Sequence, residues 1–147
     1  SFSSNGNFEV DDEGLLSQLL NFIKSDVLPS AVVDSVNVAG FMGIPQNSQN
    51  GNYNIVLADA GKHIYHAAEQ AAATYTIPAN SNVAFTTGSA ITIVNGSANN
   101  VSIAITTDTM TLANSSTTGT RTLTANGVAT CIKVTSTSWI ISGTGLS

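Results

Sequence analysis

Charge is scarce in this chain of 147 residues, where Asp, Glu, Lys and Arg together make up 9%. Only 4 residues are Lys or Arg, which excludes a nucleic-acid binder built on a basic face, because phosphate contacts need clustered cations. The net charge of -5 argues likewise against an anionic membrane surface. No apolar run reaches the roughly 18 residues of a membrane span, and the first residues lack the basic start and apolar stretch of a signal peptide. The expectation is a soluble protein that binds neither nucleic acid nor membrane and carries no export address. A single cysteine, Cys131, excludes an internal disulfide framework, so folding rests on burial and backbone hydrogen bonds.

Small polar residues fill the space that charge leaves: 18 Ser, 18 Thr and 15 Asn, against 42% hydrophobic residues. Of the nine acids, six fall before position 35, and after Glu69 the only charged side chains are Asp108, Arg121 and Lys133. The near-neutral second half still carries Val, Ile and Leu throughout, which argues against disorder there. The length suits one core, read as a single β domain over 30–147 preceded by an extended arm over 1–10 and a helix over 11–29.

The helix rests on Leu15, Leu16, Leu19, Leu20, Phe22, Ile23 and Val27, which recur at helical spacing. Asp11 or Asp12 caps its start and Pro29 stops it. Burying Leu15, Leu19, Phe22 and Ile23 is worth on the order of 6–12 kcal/mol, comparable to the net stability of a domain. A thin β domain covers one flank of such a stripe, so a symmetric neighbour or a larger scaffold is expected on the other. Phe2 and Phe8, set among Ser, Asn and Gly, read as anchors of the arm on a neighbour. These six residues, Phe2, Phe8, Leu15, Leu19, Phe22 and Ile23, form the candidate interface.

From Val32 onward short β-branched runs alternate with Gly, Asn and Ser clusters. Strands are expected at Ser35–Phe41, Asn52–Ala58, Lys62–His66, Ala73–Ile77, Asn82–Thr86, Ala90–Val94, Val101–Thr106, Thr109–Leu112, Thr120–Thr124, Val128–Thr135 and Ser138–Ser142. Their number and spacing predict an all-β fold, a jelly-roll-like sandwich or a barrel of short antiparallel strands with one N-terminal amphipathic helix. Val101, Ile103 and Ile105 are expected to face the core, as are Val128, Thr130, Ile132 and Val134, with Ala129, Cys131 and Lys133 on the other side. Asn126-Gly127 is expected to turn a hairpin between Thr120 and Thr135. No fixed-period repeat of the solenoid type is visible.

The residues that could carry chemistry do not converge. His63, His66 and Glu69 could ligate zinc, but on a strand a spacing of three puts the two imidazoles on opposite faces. Asp11, Asp12 and Glu13 are explained as helix-start residues, Cys131 lies in an apolar run, and no Gly-x-Ser-x-Gly or phosphate loop is present. Sequons at Asn95, Asn100 and Asn114 arise readily in so Asn- and Ser-rich a chain. No catalytic group, metal or cofactor is expected.

Four stretches resemble a known group in their wording: Ala39 to Gln49 (AGFMGIPQNSQ), Ala58 to His66 (ADAGKHIYH), Thr76 to Asn80 (TIPAN), and Arg121 to Thr130 (RTLTANGVAT) running on to Trp139 to Gly145 (WIISGTG). Over roughly Val38 to Ser147 the chain is similar to a β-rich module of structural proteins from tailed bacteriophages and prophages. The resemblance implies a non-enzymatic, oligomeric virion component. The expected function is a capsid decoration, or cement, protein on the outside of the shell, assembled in the host cytoplasm. Its expected partners are the major capsid protein and further copies of itself, a homotrimer in preference to a dimer. The alternative is a fibre-tip module that stacks host glycans on Tyr53, Tyr65 and Tyr75.

Overall fold

In the computed structural model the described residues are 43–147 together with Gly14 and Ser17. The chain divides into two units, Ser1–Gly43 and Ile44–Ser147, and every element below belongs to the second. Gly14 and Ser17 have helical backbone, but they do not establish an element. The arm, the rest of the expected helix, the strand expected at Ser35–Phe41 and all six candidate interface residues lie outside the described residues.

The described residues form nine strands, most of them by alternation of apolar with small polar side chains: β1 Gln46–Gln49, β2 Tyr53–Asn54, β3 His63–His66, β4 Ala73–Ile77, β5 Ala90–Asn95, β6 Val101–Ile105, β7 Thr109–Leu112, β8 Arg121–Thr135 and β9 Ser138–Leu146. The all-β expectation holds among the described residues. The antiparallel expectation holds only for the three pairings made by β8. β1 pairs in parallel with β3 and β3 with β5, while β2 pairs in parallel with β4 and β4 with β6. The chain therefore winds through successive coils of two strands each. The first turn runs from Gln46 to its partner His63, and the next from His63 to Thr92 is more than half as long again. Loops of unequal length hide the stacking from any search for a fixed period.

The long strand β8 closes this stack. Its first part, Arg121–Leu123, pairs antiparallel with β6, and Val128–Ile132 pairs antiparallel with β5, so one strand spans both open edges of the last coil. β9 lies antiparallel on the other edge of β8, and β7 adds in parallel to β9. The result is a nearly closed, barrel-like sheet. Side chains in register build columns inward: Ile64, Ile93 and Ala129 form one, and Ala73, Val101 and Leu123 another, all buried.

Three expectations for this region change. Asn82–Thr86 is not a strand, and Asn52–Ala58 keeps only β2 before a 3-10 turn at Leu57–Asp59. The Asn126-Gly127 hairpin does not form. Asn126 takes φ of 60°, but the chain continues as β8 and the register with β9 shifts between Leu123 and Val128, the signature of a bulge. The bulge carries the strand round from β6 to β5, and a Cβ on Gly127 would come within 2.6 Å of Leu123 Cδ1. The tight hairpin falls instead at Ser136-Thr137, joining Thr135 of β8 to Ser138 of β9. Thirdly, the face assignment of β8 inverts. Ala129, Cys131 and Lys133 are buried, while Val128, Ile132 and Val134 are 43%, 44% and 41% exposed. Val101 and Ile103 point inward as expected, and Ile105 packs half-buried against the core.

Candidate functional site

The outward face of β5, β8 and β9 follows from that inversion. Ile132 sits between Ala90 of β5 and Ile140 of β9, and Val128 between Val94 and Thr144. Ile140 is 41% exposed, like its neighbours on β8. Thr92 and Thr130 link their hydroxyls across the pair at 2.9 Å. No ionisable side chain stands at any of these register positions, because the one charged residue of β8's second part, Lys133, points inward. The face is an uncharged patch of cross-strand apolar pairs, with Val128, Ile132, Val134 and Ile140 exposed on it.

The polar chemistry is held inside. His66 is fully buried; its Nε2–H donates to the Ala71 carbonyl at 2.8 Å, so Nδ1 accepts the Tyr75 hydroxyl at 2.6 Å. Tyr75 Oη lies 3.4 Å from the Gln49 carbonyl, beside the end of β1. Burial pushes the Tyr75 phenol up to about 12. The buried Asp59 collects the Tyr53 hydroxyl at 2.7 Å, the Asn47 amide at 2.8 Å and the Val56 backbone N–H at 2.9 Å, bracing the corner where the chain leaves β2. Burial and the neighbouring Asp59 carboxylate both raise the Tyr53 pKa. Buried Asn95 donates to the Asn99, Leu123 and Thr124 carbonyls and pins the β5–β6 corner under β8. Among the sequons Asn95 is thus inaccessible, whereas Asn100 and Asn114 are exposed.

His63 and His66 lie on opposite faces of β3, as their spacing requires: His66 is buried and the half-buried His63 meets the Gln46 amide at 3.0 Å. Glu69 is exposed beyond the strand, and no group of three metal-ligating side chains assembles among the described residues. Burial pushes the Cys131 thiol up to about 12, which removes it as a nucleophile at neutral pH. Of the three tyrosines proposed to stack sugars, Tyr75 is fully buried, and Tyr53 is partly buried with its hydroxyl committed to Asp59.

The signal for the outward patch was present in the sequence as alternation along 128–135, but alternation gives two faces without saying which is inside. The set with the larger apolar side chains, Val128, Ile132 and Val134, was expected inside, and the structure buries Ala129, Cys131 and Lys133 instead. No protein-family model matches the chain, and no curated protein matches it.

Proposed function

We propose that the chain is a non-enzymatic structural component of a tailed-phage virion, a capsid decoration protein that binds the major capsid protein on the outside of the shell and associates with copies of itself. The observation that supports association is the uncharged outer face of β5, β8 and β9, where Ile132 pairs with Ile140 and Val128 with Val94, and Val128, Val134, Ile132 and Ile140 stand exposed. Apposing two such faces buries apolar area without desolvating a charge. Placement on a capsid rests on the resemblance of Val38 to Ser147 to phage structural modules. The homotrimer is preferred because positions of local threefold symmetry are abundant on capsids. Burial of Tyr75 counts against the fibre-tip alternative, because a ring with no exposed face cannot stack on a sugar. Particles lacking the protein are expected to be less resistant to heat, chelation or osmotic shock while adsorbing normally. Unchanged resistance with lost adsorption would replace this reading with the fibre-tip one.

A further inference from the structure

We propose that Lys133 and Asn80 are the two halves of an intramolecular isopeptide bond, closed by the chain itself with Asp108 positioning Asn80. The proposal stands on the interior of the sheet and is independent of the assembly reading. Lys133 is 1% exposed, and its Nζ donates to Asn80 Oδ1 at 2.6 Å. No carboxylate comes within 4.0 Å of that amine among the described residues. A neutral amide and an aromatic face compensate a buried cation poorly, and converting amine and amide into one secondary amide removes that cost.

The reacting atoms are already together. The Asn80 amide carbon lies one C=O bond, about 1.2 Å, from the oxygen that Nζ contacts, so a small rotation brings nitrogen and carbon to near-attack separation. Asn80 is held in the turn that follows β4, where its own N–H donates to Asp108 Oδ2 at 2.8 Å. Asp108 is itself largely buried, so amine, amide and carboxylate converge on one residue. The walls are aromatic: the Trp139 ring centre is 5.8 Å from Nζ, and Phe85 packs edge-on against Trp139 at 5.5 Å. The buried Trp139 Nε1 finds no acceptor, so this wall offers no group that competes for the amine. The Lys133 backbone is clamped by the Gly88 N–H and the Ser89 carbonyl, which limits the stem's freedom to withdraw.

In the reaction one proton of the Lys133 ammonium passes to Asn80 Nδ2, and the free amine adds to the Asn80 amide carbon. The Nζ–Cγ bond forms, a second Nζ proton passes to the same Nδ2, and the Cγ–Nδ2 bond breaks to release that nitrogen as ammonium. Lysine ammonium and asparagine amide become a secondary amide and one ammonium ion. Nothing is oxidised or reduced, and no co-reactant is needed.

Intact-mass measurement of the purified full chain tests this without any variant. The expected mass is below that of the sequence by one ammonia. Trypsin is then expected to spare Lys133 and to yield one species joining residues 63–121 to 122–147. Lys133→Arg and Asn80→Ala should each restore the full mass, and Asp108→Ala should slow or abolish the loss. A succinimide at an Asn-Gly pair such as Asn126-Gly127 also loses ammonia, but it would persist in Lys133→Arg and leave Lys133 cleavable. That pattern, or the full sequence mass in the folded wild-type protein, would overturn the proposal.

Discussion

Cys131 is the residue at which the inverted face of β8 can be read most simply. Its side chain is fully buried between Ile91 of β5 and Ile141 of β9 in the cross-strand register. An outward Cys131 would react with a thiol reagent at once. The fold predicts no labelling in native conditions and stoichiometric labelling in denaturant; fast native labelling would contradict it. Cys131 and Tyr75 also set an alkaline limit. Their pKa values rise from 9.0 and 10.0 in the unfolded chain to about 12 in the fold. Above pH 9 the unfolded state therefore loses protons that the folded state keeps, so stability falls with rising pH. Each tenfold difference in proton affinity corresponds to about 1.4 kcal/mol. Chemical denaturation is expected to give constant stability from these two groups below pH 9 and a decline between pH 9 and 12, reduced in Cys131→Ala.

At the scale of the element, Ala73–Ile77 and Thr109–Leu112 were legible to the residue, because a clean alternation bounded by polar clusters leaves one reading. Gln46–Gln49 was not, since QNSQ has no apolar residue and becomes a strand only by lying in register on His63–His66. Asn126-Gly127 misled for a related reason: positive φ at Asn126 serves a bulge as well as a turn, and which one forms depends on β5 and β6 waiting along the edge of β8. The close seam between β8 and β9 makes its own prediction. A Cβ on Gly143 would stand 2.0 Å from the Val128 carbonyl, whereas one on Gly51 meets nothing within 4 Å. Gly143→Ala should cost about 1–3 kcal/mol or more by overpacking, and Gly51→Ala should be near neutral. Equal melting temperatures for the two variants would show that the seam is looser than described.

Across the whole molecule, fold class was legible and pairing direction was not. Parallel neighbours come from coil winding, which no local residue encodes, and the unequal turns between Gln46, His63 and Thr92 erase the period that would have revealed it. The same winding gathers the core columns. Ile103→Ala, in the middle of β6 and fully buried, should cost about 2–5 kcal/mol. The outer face behaves oppositely, and this contrast carries the central claim that Val128, Ile132, Val134 and Ile140 serve association rather than folding. Light scattering of the wild-type protein and of Ile132→Glu, each paired with a thermal melt, tests it most directly. The account predicts an oligomer that Ile132→Glu dissociates to monomers, whose melting temperature does not change on dilution. A wild-type monomer, or an Ile132→Glu chain that fails to fold as though a core residue had been charged, would contradict it.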